Sequence, residues 1–130
     1  MRYWHEAKRF AKDQFTVVWD WCYEDAPLDS MFDASCFDIE DMADRCNRGT
    51  DTHYIARVTF LYDGEEVGSA TLGSCYAHGC DPEDDMKAGI SGYMEDMMEE
   101  AESEARERAV EMLDRLKKDF LGVDNGVETV

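Results

Sequence analysis

The sequence predicts an α+β domain with a three-stranded sheet, mixed or antiparallel, and two main helices on one face of that sheet. Two stretches, residues 14–23 and 53–62, alternate side chains with the period of a strand, and an Asp-Gly dipeptide after the second one predicts a tight turn. An apolar row of helical period runs through residues 90–120. The 130 residues are 44% hydrophobic and 12% aromatic, which is enough for one folded domain covering residues 1–130.

The first half of the chain is predicted to contain a helix, a strand, a loop and a second helix. Residues 4–12 predict a short basic helix within an N-terminal segment of residues 1–13. Residues 14–23 predict the first strand, because aromatic and β-branched side chains recur at every second position. Residues 24–36 are rich in turn formers and predict a loop, whereas residues 37–47 place apolar side chains at helical spacing.

The middle of the chain predicts a β-hairpin. Residues 53–62 form its first strand, and residues 66–76 return as the partner strand. Gly68 and Gly73 lie inside the returning strand and predict a bulge or the close approach of another backbone. A strand–helix–strand crossover would make the first two strands parallel if they share a sheet, and the hairpin would then add an antiparallel strand.

The last element predicted is a long amphipathic helix. A loop at residues 78–85 ends in carboxylates that favour a helix N-terminus, and two glycines delay the continuous helix to about Ser91. The helix is expected to end near Phe120, with residues 121–130 as a frayed tail. Its apolar row consists of Ile90, Met94, Met97, Ala101, Ala105, Ala109, Met112 or Leu113, Leu116 and Phe120.

The negative charge of the chain is concentrated in two segments. The formal net charge is −18; residues 20–45 hold nine acids and one base, and residues 81–104 hold ten acids and one base. Segments of this kind repel each other, so they indicate a basic partner, and they argue against direct binding to nucleic acid or anionic lipid. No window of 18 apolar residues exists, so the sequence predicts no membrane span.

The first half of the long helix is the sharpest candidate for a binding surface. Residues 95–104 hold six acids and no base, whereas residues 105–120 mix both signs like an ordinary salt-bridged face. The alternative is the solvated surface of a protein from an acidic proteome, although such an adaptation would spread acids evenly. The candidate partner-binding residues are Asp84, Asp85, Glu95, Asp96, Glu99, Glu100, Glu102 and Glu104, together with Asp38, Glu40, Asp41 and Asp44.

The cysteines offer one weak candidate for a metal site. Cys75, His78 and Cys80 have a spacing that could hold zinc, but no paired C-x-x-C motif or local fourth ligand accompanies them. The alternative is buried thiols beside a surface histidine. Five cysteines, an odd number, and a charged N-terminus predict free thiols in a reducing cytoplasm. We find no signature of a nucleophile, phosphate loop or dinucleotide site, and so expect neither an enzyme nor a cofactor.

The segment ARVTFLYDGEEVGSATLGSCYAHG at residues 56–79, followed by ISGYMEDMMEEAESEARERA at residues 90–109, resembles a pattern of small acidic bacteriophage proteins. Those of assigned function often block host defences, as anti-CRISPR and anti-restriction proteins, and several resemble nucleic acid in charge distribution. The resemblance implies an inhibitor of host defence that acts in the host cytoplasm. Together with the charge it predicts a basic nucleic-acid-binding protein as the partner, and we expect a monomer or a homodimer. The alternatives are a binding module or homodimeric adaptor with apolar contacts, and a zinc-stabilised domain.

Overall fold

The computed structural model describes residues 2–122, which form a four-stranded antiparallel sheet with helices on both faces. The strands are β1 (His5–Lys12), β2 (Phe15–Tyr23), β3 (Thr52–Tyr62) and β4 (Glu65–Ala77), and they neighbour one another in chain order. The helices are α1 (Leu28–Met31), α2 (Ile39–Asn47), α3 (Pro82–Lys87) and α4 (Tyr93–Leu116), with a 3-10 turn at Ile90–Gly92 and a π-helical turn at Lys117–Leu121. The α+β class, the antiparallel alternative and the long C-terminal helix are confirmed. The count of three strands and the parallel pairing are wrong.

The fourth strand is β1, in the segment where the sequence predicts a helix at residues 4–12. Two features hide its period of two. The register with β2 shifts between Glu6 and Lys8, so the alternation changes phase inside the strand. The Lys8 ammonium also lies 4.9 Å from the ring centroids of both Phe10 and Trp19, so a charged residue covers aromatic surface.

The core lies between the sheet and α4, which packs mainly on β4 and β3. We call this side of the sheet the helix face. Gly68 lies directly below α4, and a Cβ atom built on it would be 2.3 Å from the Ala101 carbonyl oxygen. The predicted close approach of another backbone is therefore confirmed, and the register between β3 and β4 also shifts beside Gly68 and beside Gly73. The buried members of the core are Phe15, Val17, Trp21, Tyr54, Ala56, Val58, Phe60, Val67, Ala70, Cys75, Ala77, Met86, Met94, Met97, Ala101 and Ala105.

Helix α2 lies on the other side of the sheet, which corrects the expectation that both main helices share one face. His53 and Tyr76 are neighbours in the β3–β4 register, and they follow the opposite alternation to the buried Tyr54. Both rings contact Phe32, and the Tyr76 hydroxyl oxygen lies 3.4 Å from the carbonyl oxygen of Met42 in α2. These contacts place the segment between β2 and β3 on this face, whereas the sequence prediction assumed a parallel crossover that packs both main helices on one face.

The opposite face also contains an ion pair. Arg57 donates hydrogen bonds of 2.9 and 2.6 Å to the two carboxylate oxygens of the buried Asp20, and the Trp4 ring stacks 3.7 Å from the guanidinium carbon. At the C-terminal end, Leu121 closes the π-helical turn after α4, and the rest of the predicted tail, residues 123–130, lies outside the described residues. Within residues 2–122, none of the helices combines the length and the apolar character that crossing a membrane requires.

Candidate acidic interface

The first half of α4 presents five exposed carboxylates to solvent. One side of the helix is buried against the sheet through Met94, Met97 and Ala101. The acids lie on the opposite side of the helix and point outward. Acids in the first turn are favoured by the helix dipole, and this offsets part of the repulsion among them. None of the five forms a salt bridge with a residue that the structure describes. We call Glu95, Asp96, Glu99, Glu100 and Glu104 the α4 carboxylates.

The density of this charge is comparable with that of nucleic acid. From Glu95 to Glu104 the helix rises about 14 Å at 1.5 Å per residue, so the five free carboxylates give one charge per roughly 3 Å of axis. Duplex DNA carries one charge per about 1.7 Å of axis, and a single strand one per about 3.4 Å. The α4 carboxylates therefore lie between these two values.

Glu102, the sixth acid of this segment, is neutralised internally. Its carboxylate accepts a hydrogen bond from the Lys12 ammonium of β1 and bonds of 3.0 and 2.8 Å from the Arg106 guanidinium. Arg106 also donates a hydrogen bond of 2.6 Å to Asp13 in the β1–β2 turn. The hydrogen bonds from Lys12 and then Arg106 lower the pKa of Glu102 below its ordinary value. Glu102 thus joins α4 to the β1–β2 hairpin and is not a free carboxylate for a partner.

Helix α3 extends the acidic surface along the same side of the sheet. Glu83 and Asp84 are exposed, whereas Met86 is buried in the core of the helix face. Asp85 accepts a hydrogen bond of 2.5 Å from the buried Tyr54 hydroxyl, and burial followed by this bond raises the pKa of Tyr54. Asp84 is therefore available to a partner, while Asp85 anchors α3 to β3.

The turn between α3 and α4 has an unusual backbone. All four residues from Gly89 to Gly92 have positive φ, including Ile90 at 45° and Ser91 at 54°. A left-handed conformation costs a residue with a side chain about 1–2 kcal/mol, so the packing of α3 and α4 on the sheet has to offset this cost at Ile90 and Ser91. The turn fixes the direction in which α4 leaves α3.

The acids of α2 do not join this surface, because α2 lies on the opposite side of the sheet. Asp38 caps the helix by accepting a hydrogen bond of 3.1 Å from the Asp41 N–H, and Asp44 pairs with Arg48 at 2.8 Å. Glu40 and Asp41 are exposed in the first turn. The candidate partner-binding residues of the two acidic segments therefore lie on two separate surfaces.

The three candidate metal ligands are also separated. Cys75 is buried on the helix face, where its thiol donates to the Leu72 carbonyl oxygen at 3.4 Å, and burial raises its pKa to about 11. His78 is exposed and its Nδ1 lies 3.1 Å from Asp51, while burial raises the pKa of Cys80. Among residues 2–122, no group of three histidine, cysteine or acidic side chains has the geometry to hold a metal ion.

Asp51 is the important residue that the sequence reasoning missed. Its side chain is fully buried and accepts hydrogen bonds of 2.8 Å from Arg45 Nε, 2.6 Å from the Tyr76 hydroxyl and 2.8 Å from the Gly79 N–H. Burial alone would raise the pKa of Asp51, but these bonds and that from His78 outweigh burial and hold it well below its usual range. The cluster joins α2, β3 and β4. No local sequence pattern marks it.

The fold is an α+β domain, and α4, which covers the helix face of the sheet, presents an acidic surface to solvent. No protein-family model, curated protein or solved structure matches this chain. The geometry of the α4 carboxylates therefore carries the functional argument.

Proposed function

We propose that this protein inhibits a bacterial defence nuclease or CRISPR complex by occupying its basic nucleic-acid groove. The observation that carries the proposal is the run of α4 carboxylates, whose charge density along the helix is similar to that of nucleic acid. The resemblance of residues 56–79 and 90–109 to small phage proteins supports the choice of a host-defence target. The protein acts by binding and not by catalysis.

The mechanism is competition for arginine and lysine side chains that normally hold phosphates. Carboxylates accept charge-assisted hydrogen bonds from guanidinium groups in the way that phosphate oxygens do. Because α4 is anchored by its buried side, the carboxylates are already arranged and little ordering accompanies binding. A chain of net charge −18 would also be steered towards a basic groove, so association should be fast and sensitive to salt.

The proposal predicts that neutralising four of the five α4 carboxylates weakens competition with DNA. The variant changes Glu95, Glu99, Glu100 and Glu104 to glutamine, which keeps helix propensity and size. Each lost contact with a basic groove is exposed and of modest strength, so we expect the inhibition constant to rise at least tenfold in total. The measurement is displacement of a labelled DNA duplex from purified CRISPR interference complexes and restriction nucleases, at 0.1 and 0.5 M salt.

A matched variant separates position from net charge. Asp25, Asp29, Glu40 and Asp41 are exposed acids of the α1–α2 side, and changing them to amides also removes four charges, leaving −14 in both variants. This control should inhibit within about twofold of the original chain. An equal rise of the inhibition constant in both variants would show that only net charge matters, and would contradict the role of the α4 carboxylates. The proposal as a whole would be overturned if the original chain displaced DNA from none of these proteins.

A further inference from the structure

The second half of α4 exposes an apolar patch. The exposed fractions are 51% for Leu113, 50% for Leu116 and 79% for Phe120, although the same helix buries its apolar side chains as far as Ala105. Beyond that residue the helix is no longer covered by the sheet, and the apolar row has turned towards solvent. Large exposed apolar patches on small domains indicate an interaction surface. Val110, Met112, Leu121 and Tyr62 of β3 are exposed around these three residues.

The patch has a shape that a second helix can fit. On a helix of 3.6 residues per turn, Ala109, Leu113 and Leu116 fall within an arc of about 60°, which gives a narrow stripe with a small residue at one end, and Phe120 follows in the π-helical turn. Beside the stripe, a groove of about 430 Å³ runs between α4 and the β3–β4 turn, lined by Phe15, Tyr62, Val67, Ala109, Met112, Leu113 and Leu116.

The charge around the patch favours a second copy of this chain as the partner. Residues 106–121 hold five bases and four acids, a net charge of +1, so the remainder of the chain carries −19. This segment is therefore where a second chain of net charge −18 can approach without strong repulsion. A strongly basic partner would instead be drawn to the acidic remainder.

We propose that the patch is the interface of a homodimer in which the α4 helices of two copies pair antiparallel about Leu113. In such a two-fold arrangement each flank of the stripe meets the same flank of the second copy. On one flank Arg108 approaches Asp119 of the second copy, and two-fold symmetry repeats this pair. The most exposed side chain, Phe120, reaches the groove beside the other helix, and the two acidic bodies point away from each other.

The test is the molar mass of the full chain by sedimentation equilibrium between 1 and 500 µM. We expect about twice the 14.9 kDa of one chain. The dissociation constant should fall when salt rises from 0.1 to 0.5 M, because the apolar contact persists while repulsion between the acidic bodies is screened. Changing Leu113 and Leu116 to glutamine preserves charge and helix propensity, and should raise the dissociation constant at least tenfold; circular dichroism verifies that the variant is folded.

The control changes two exposed apolar residues elsewhere, Met31 and Phe37, to glutamine and should leave the dimer intact. A mass of one chain at every concentration would overturn the proposal, and residues 123–130 or another protein would then be the candidates to cover the patch. A dimer equally strong in the Leu113 and Leu116 variant would also overturn it. Neither outcome bears on the proposed inhibition of DNA binding. The two proposals are also distinguished by salt, because competition with DNA should weaken as salt rises whereas the dimer should become tighter.

Discussion

Changing Asp51 to asparagine is expected to lower the free energy of unfolding by about 2–3 kcal/mol, because the donors around this buried side chain lose a charged acceptor. The side chain is fully buried, and Arg45, Tyr76 and the Gly79 N–H all donate hydrogen bonds to it. Asparagine fits the same space but carries no charge, and its amide group brings a further donor to a place where the neighbours are donors. The Arg45 guanidinium would lose its charge partner.

Urea unfolding at pH 7 measures this loss, and Asp29, exposed in α1, gives the matched control when changed to asparagine. The control should change the free energy of unfolding by less than about 0.5 kcal/mol. A loss below about 1 kcal/mol for the Asp51 variant would show that the cluster contributes little to stability.

The Asp51 cluster should also make stability dependent on acid pH. Folding lowers the pKa of Asp51, so its contribution is fully present above the unfolded value of about 3.9 and is lost as pH falls from there towards the folded value. Urea midpoints between pH 5 and pH 2.5 should therefore decline less steeply in the Asp51→Asn variant than in the original chain. Equal slopes would contradict this assignment.

The parts of the fold that the sequence predicts correctly depend on local patterns. The β3–β4 hairpin follows from two alternating stretches joined by Asp63 and Gly64, which both have positive φ in the structure. The long helix follows from its apolar row. Strand β1 was missed because its alternation changes phase near Lys8, and the position of α2 was missed because it depends on contacts of Phe32 with Tyr76, far apart in sequence.

The candidate site also has features that local sequence patterns predict and features that depend on residues far apart in the chain. The carboxylates of α4 lie within ten residues of one another in sequence, so the charge pattern alone identified them. Whether each one is free depends on residues far along the chain: Lys12, which pairs with Glu102, is 90 positions away. The side of the sheet that α2 occupies decides whether its acids join the α4 carboxylates, and no short-range pattern contains that information. Net charge therefore predicts the kind of partner better than it predicts the contact surface.

Changing Gly68 to alanine is expected to lower the free energy of unfolding by about 3 kcal/mol, at the upper end of what overpacking costs. The added Cβ would lie 2.3 Å from the Ala101 carbonyl oxygen and 2.8 Å from the Ala105 nitrogen. Both are backbone atoms of α4, so no side chain can rotate away, and the helix itself would have to move off β4. The shift would loosen the packing of Met94 and Met97 and disturb the α4 carboxylates.

Gly73 provides the matched control, since it lies in the same strand and a Cβ there would meet only Glu24 Oε2, at 3.6 Å. Gly73→Ala should change the free energy of unfolding by less than about 1 kcal/mol, because the loss of unfolded-state entropy is the main effect. Urea unfolding of both variants measures the difference, and equal effects would contradict the packing argument. Adding Ala105→Gly to Gly68→Ala should restore little stability, because it removes a methyl group and leaves both clashing backbone atoms in place. A full rescue would mean that side-chain volume, and not the approach of the two backbones, sets the distance between α4 and β4.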